Sequence, residues 1–390
     1  MSELQVWSGR GRLEEVVSEL ERQKETKVDF VADTRQLAVV NRDGIQTLAP
    51  RPQAGEESIT EFVPDSGYAL TPHALGQLGE RCSPSIPVKF LRALADGNAP
   101  RRQLSASILS SLMDAVEDRS PRRLFRCLDG KCRAVMSDRY RVLDHYDLAF
   151  AALDAVLENE GIVMDCSLSD SHMNLKFCTP ALFDRVEQER LDHGPGSPQF
   201  VHLHGGTGEQ FGSGMDPAIV YPVCSVTNSE TAQGGLTVQY GICKAFCINS
   251  SLIESALTQV HLGGRLDAGI FRQETQELDA RATLAKAQDA ISAAFHPSVF
   301  ARIVSVAQSA QSDRIESPTA AVGNLVKNTD ITEDRKDAIL EYFLRGQDAT
   351  RYGLAQAVAR VAQDEEDGDS SASYEALSGK IMHDADMVLA

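Results

Sequence analysis

Asp129-Gly130, set between two β-prone apolar runs, narrows most sharply what this chain can fold into. The pair suits a two-residue hairpin turn, because both positions need a positive φ that glycine adopts freely and aspartate tolerates. It predicts strands over Leu124–Leu128 and Cys132–Met136. The hairpin also lies in a basic stretch. From Arg101 to Arg141 there are ten Lys or Arg against five Asp or Glu, in a chain whose formal charge is −18. Arg122, Arg123, Arg126, Lys131, Arg133, Arg139 and Arg141 would line a phosphate track, and Tyr140 would offer a stacking face for single-stranded nucleic acid. Strict alternation lets about half of them share one groove and sends Arg133 and Met136 to opposite faces. The competing reading is a solvated hairpin face of salt-bridged arginines, with Tyr140 buried against the following helix.

The 390 residues suffice for two domains, or for one large domain with appendages. Hydrophobic residues at 42% and charged ones at 24% match a soluble globular protein, and no apolar run reaches the roughly 18 residues of a membrane span. Met1–Gln5 lack the basic and apolar regions of a secretory signal, and eight cysteines without such a signal read as reduced thiols. The expectation is a cytoplasmic protein with no membrane association.

Periodicity predicts an N-terminal helix through Leu13, Val16, Val17 and Leu20, then short strands at 28–31 and 37–40, with Asp43-Gly44 as a turn. Residues 50–58 have linker composition. Thr71 caps a helix opened by Pro72, a second helix holds Phe90, Leu91 and Leu94, and a third turns Leu104, Ile108, Leu109, Leu112, Met113 and Val116 to one face. A helix carrying Leu148, Leu153, Val156 and Leu157 stops at Gly161, and alternating strands follow over 162–168, 173–177, 219–226 and 236–242. The glycine-rich stretch 193–217 fits no phosphate-loop or dinucleotide spacing and reads as a loop. Helical patterning holds from about 273 to 360, with Asp330 and Glu333 at capping-box spacing and Gly346 as a stop. The fold class expected is α+β, a mostly antiparallel sheet built from hairpins with packed helices and a helical C-terminal region. The expected divisions are an N-terminal segment and linker (1–58), an α+β core (59–272), a helical region (273–362) and an acidic tail (363–390).

Several stretches, taken in order, resemble one family. They are Tyr68–Leu78 with Ile86-Pro87, Arg133–Tyr140, Asn228-Ser229-Glu230-Thr231 with Gly234-Gly235, Cys247-Ile248-Asn249, His261-Leu262-Gly263 and Thr350–Val358. The set resembles the phage/plasmid-like protein family catalogued as a domain of unknown function, number 932, across about residues 28–380. The loop 193–217 looks like an insertion, and Asn249-Ser250 stands where that family often has Asn-Gly. The resemblance implies a bacteriophage or plasmid origin and carries no biochemical activity. By architecture and gene context such a protein looks like the phage single-strand annealing proteins of the RecT and Red-beta kind, which bind single-stranded DNA and form rings or filaments.

Asn228, Glu230 and His261 are the polar residues of the matching motifs and could converge on one site; the competing reading gives Asn228 and Ser229 to turn chemistry and His261 to a structural hydrogen bond. A Glu and a His in reach of each other suit acid–base work, although no nucleophile accompanies them. His202 and His204, with His193, lack zinc-site spacing, so no metal or cofactor is expected. Cys127 and Cys132 flank the turn, no Cys-x-x-Cys occurs, and all eight cysteines read as structural. The functional expectation is a non-enzymatic homo-oligomer binding single-stranded nucleic acid in recombination or replication. The alternative is a factor that binds a host or phage protein, which the acidic 361–390 segment favours.

Overall fold

The structure is a computed structural model and describes residues 9–10, 12–51, 61–115, 122–140, 142–186, 219–244, 250–259, 273–329 and 331–389. The first half runs β1 (Gly9–Arg10), α1 (Leu13–Thr26), β2 (Val28–Asp33), β3 (Leu37–Arg42), β4 (Ile45–Pro50), β5 (Tyr68–Leu70), α2 (Pro72–Cys82), α3 (Val88–Ala95), α4 (Ala99–Asp114), β6 (Arg122–Leu128), β7 (Lys131–Ser137) and α5 (His145–Glu158). Next come β8 (Ile162–Leu168), β9 (Met173–Cys178), β10 (Asp184–Arg185), β11 (Ile219–Asn228), β12 (Leu236–Lys244) and β13 (Ser250–Gln259). The described chain ends in α6 (Gln273–Ala294), α7 (Pro297–Ser312), α8 (Pro318–Lys327), α9 (Glu333–Gly346), α10 (Arg351–Asp364), α11 (Gly368–His383) and α12 (Asp386–Leu389). This is the α+β class with a helical C-terminal region.

The strands form two sheets. The smaller has the order β2-β6-β7-β5-β4-β3, antiparallel except for the parallel β5–β7 pair. The larger has the order β1-β8-β9-β11-β12-β13, with β10 on β11, and is antiparallel throughout. Asp129 (φ 50°) and Gly130 (φ 74°) make the β6–β7 turn, as Asp43 (φ 49°) and Gly44 (φ 89°) make the β3–β4 turn. Cys127 lies opposite Cys132, but Arg126 lies opposite Ala134, so Arg133 is the extra residue of a β-bulge.

α2, α3 and α4 cover one face of the smaller sheet, burying Leu75, Leu78, Leu91, Leu109 and Met113 against Phe30, Leu37, Leu48, Phe125 and Val135. Truncating one of these leucines to alanine costs about 2–5 kcal/mol. Thr71 Oγ1 caps α2 by accepting from Ala74 N at 3.1 Å. The stripe on α4 differs from its expected start. Leu104 is 49% exposed, and the helix turns Ser105, Ala106, Leu109 and Met113 inward. Leu157 on α5 is likewise exposed.

One face of the larger sheet packs Met173, Leu175, Phe177 and Val226 into a core shared with α1, α5 and the C-terminal helices. Because α1 sits in that core while β2 joins the smaller sheet, residues 12–50 are woven into both lobes and form no separate segment. The expected tail 363–390 is a second correction. α11 is a packed helix whose Ser371, Ser378, Ile381 and Met382 are buried, and its acidic residues sit among apolar and small ones that seat it on the sheet. α9 ends with Gln347, not Gly346, in the left-handed conformation (φ 54°). Among the described residues, no single helix is long and apolar enough to cross a membrane. The loop 193–217, most of the linker and Asp330 lie outside the described residues.

Candidate functional site: a buried ion cluster between the sheets

The loop after β11 inserts Glu230 between the two lobes, where it is 2% exposed. One carboxylate oxygen accepts from Lys27 Nζ and from the backbone N–H of His145, each at 2.8 Å, and the other from Arg133 at 2.8 Å. The Glu230 carbonyl accepts from Arg126 at 3.1 Å. Arg126, 0% exposed, also donates to Asp29 at 2.9 Å and pairs with Asp144. Lys27 bridges Asp144 at 3.0 Å. Lys27, Arg126 and Arg133 thus balance Asp29, Asp144 and Glu230. The residues come from the end of α1, from β2, β6 and β7, from the start of α5 and from the β11 loop.

Local chemistry explains the geometry. The bulge brings the guanidinium of Arg133 to the carboxylate beside Arg126, correcting the alternation that separates it from Met136. Glu230 sits at the N-terminus of α5, where the free N–H of His145 and the helix dipole favour a negative charge. Burial alone pushes the Glu230 carboxyl up. His145, Arg126, Lys27 and Arg133 lower it by more and hold it well below the usual range. The His145 ring is buried, its Nδ1 accepting from Asn228 Nδ2 at 3.0 Å, and desolvation pulls its pKa down to about 4. The neutral imidazole fits a cluster whose charges already balance.

Three of the motif pieces, Tyr68–Leu78, Arg133–Tyr140 and Asn228–Thr231, meet here. His73 Nε2 and Gln77 Nε2 reach the Thr231 carbonyl at 2.9 and 3.0 Å, and Gln77 Oε1 accepts from Val135 N at 2.8 Å. Asn228 and Glu230 both meet His145, whereas His261 lies outside the described residues. Sequence reading missed Lys27, Asp29, Asp144 and His145. Asp144-His145 directly before an apolar helical run was the one available signal.

The basic hairpin is used differently from its expected role. Arg126 and Arg133 (4% exposed) face inward and are ion-paired, so neither offers a guanidinium to phosphate. Arg123 is buried against α2, donating to the Arg81 carbonyl at 3.4 Å. Tyr140, 4% exposed, packs with Leu124, Ala134 and Met136 and presents no stacking face. Lys131 is half-buried, Arg122 and Arg139 are exposed, and Arg141 lies outside the described residues.

A second polar group joins α11 to the larger sheet. Asp369 accepts from Ser171 Oγ (2.6 Å) and Asn174 Nδ2 (3.0 Å) and pairs with His172 Nδ1 (2.9 Å). Burial raises the Asp369 pKa, but the His172 and Ser171 hydrogen bonds outweigh it and hold the group low. Lys176 pairs with Glu375 nearby, beside a pocket with room for about one water. Among the described residues, no three His, Cys, Asp or Glu side chains are grouped to hold a metal; His193, His202, His204 and Cys247 lie outside them.

No family model matches the chain, and no curated protein or solved structure matches it either.

Proposed function

We propose that this chain is a non-enzymatic protein of a phage or plasmid, acting in the host bacterial cytoplasm by binding another protein. The fate of the hairpin carries the reading. Its central arginines, Arg126 and Arg133, end on Asp29, Asp144 and Glu230, so they are taken up in a charge-balanced interior. The chain's −18 therefore resides outside that cluster, where it repels phosphate and suits a basic protein surface. The mobile-element origin rests on the ordered motifs, three of which meet at Glu230 and Thr231.

The test pairs two measurements on the full chain. One titrates labelled single-stranded and duplex oligonucleotides at low salt. The other recovers partners from nuclease-treated host lysate and reconstitutes binding with the purified partner. Failure on both nucleic acids together with a reconstituted protein complex supports the reading. Tight, salt-weakened binding to the single strand overturns it.

That outcome belongs to a second reading, a homo-oligomeric single-strand annealing protein. Arg122 and Arg139 are exposed at the same end of the hairpin, since Arg123 lies opposite Ser137. Arg122→Glu with Arg139→Glu abolishes strand binding if this reading holds. It leaves the ion cluster untouched, which reversal at Arg133 would not.

A further inference from the structure

Cys127 and Cys132 face each other across β6 and β7, one residue pair in from the two-residue turn. With Leu128 and Lys131 as the turn-flanking pair, the next pair inward is the one whose backbones do not hydrogen-bond each other. The Cys132 carbonyl accordingly points away from β6 and accepts from Thr71 N at 3.1 Å. Facing residues at such a position have Cα atoms about 4.5 Å apart, inside the span of about 4.4–6.8 Å that a disulfide bridges. The two thiols are near enough for one to hydrogen-bond the other. Both are free and fully buried against the α2–α4 face.

We propose that Cys127 and Cys132 are a thiol pair that closes into a cross-strand disulfide when the chain meets a small-molecule disulfide such as oxidised glutathione. One cysteine thiol attacks the glutathione disulfide and releases one glutathione thiol. The other then displaces the glutathione that remains. Two protein S–H bonds are lost, one protein S–S bond forms, and both protons leave on glutathione. The bond encloses Leu128–Lys131 and fixes the spacing of the residues beside Arg126 and Arg133, at the foot of the ion cluster.

Burial slows attack on the folded protein, so the test refolds the full chain from denaturant in oxidised glutathione, blocks remaining thiols and digests with trypsin. Cleavage after Arg126, Lys131 and Arg133 yields the peptides 127–131 and 132–133. The expected result is that they travel as one species that reduction separates, with the thiol count of the unfolded chain lower by two. The same treatment of Cys132→Ala should give no joined species. Recovery of the wild-type peptides apart, free or glutathione-capped, overturns the proposal, as does a cross-link from Cys127 to any other cysteine. The oxidised wild type should also unfold at higher urea than its reduced form, and an equal or lower midpoint denies the bond a native fit.

Discussion

The molecule holds two polar clusters that tie layers together, and they differ in how far water reaches them. At the lobe junction, Glu230 and the guanidinium of Arg126 are almost wholly buried, and each charge is met by more than one partner from another element. Between α11 and the larger sheet, Asp369 is 28% exposed, and its partners His172, Ser171 and Asn174 come from one short turn and the strand after it. Coulomb attraction is strong in the first setting, but so is the penalty for any charge left unpaired. In the second, water takes up what a lost partner leaves. The junction cluster therefore specifies how the lobes meet, whereas the α11 cluster trims the seating of a helix already held by apolar contacts.

The largest expected effect is at the centre of the first cluster. Glu230→Gln keeps the shape but leaves Lys27 and Arg133 facing a neutral amide in a buried site. Stability should fall by about 3–5 kcal/mol, read as a lower urea midpoint. A loss under about 1 kcal/mol would place water at Glu230 and dissolve the contrast between the clusters.

Acid should open the same junction. His145, surrounded by Glu230, Lys27, Arg133 and Arg126, has its pKa held down to about 4 by burial first. Between pH about 6.5 and about 4 the unfolded chain binds a proton that the folded chain refuses. Stability therefore falls with pH across that window, by about 3 kcal/mol if this site acts alone. Glu230, held low, extends the loss below the ordinary glutamate range, while Asp29, raised by burial, takes its proton more readily when folded and offsets a part. Urea titrations at successive pH values, repeated with His145→Asn, should show the upper part of the fall vanish in the variant.

What the sequence disclosed follows the range of the interactions. Asp129-Gly130, Thr71-Pro72 and the alternating strands act within a few residues, and the structure carries each of them. The junction could not be read the same way, because Glu230 is 203 residues from Lys27 and 104 from Arg126. Charge count along the chain could not distinguish an arginine pointing at phosphate from one pointing at Glu230. The bulge at Arg133 was equally silent, since one extra residue in a strand leaves no mark on composition. α11 misled for a related reason: its acidic residues suggested a solvated tail, while Ser371, Ser378 and Ile381 carry the packing.

In the second cluster the expected change is smaller. Asp369→Asn removes the charge that strengthens the hydrogen bonds from Ser171, His172 and Asn174 but keeps an acceptor in place. It should cost about 1–2 kcal/mol by urea unfolding. A loss as large as that of Glu230→Gln would mean that solvent access is not what separates the two clusters.

The smallest effect tests the same idea within one hairpin. Arg22 clamps the turn of β6–β7 from outside, its two terminal nitrogens each 2.8 Å from Asp129, with Glu19 at 2.7 Å. Arg126 and Arg133 also pair with carboxylates further down the ribbon, but in the interior instead of in water. The Arg22 side chain is 42% exposed, and such pairs contribute about 0.2–1 kcal/mol because solvent and salt screen them. Arg22→Ala should lower stability within that range at low salt and by less at high salt, whereas the Glu230→Gln loss should keep its size in both. If the Arg22→Ala loss is larger and insensitive to salt, geometry outranks burial in this fold and the ranking of the two clusters has to be rebuilt from bond count instead of exposure.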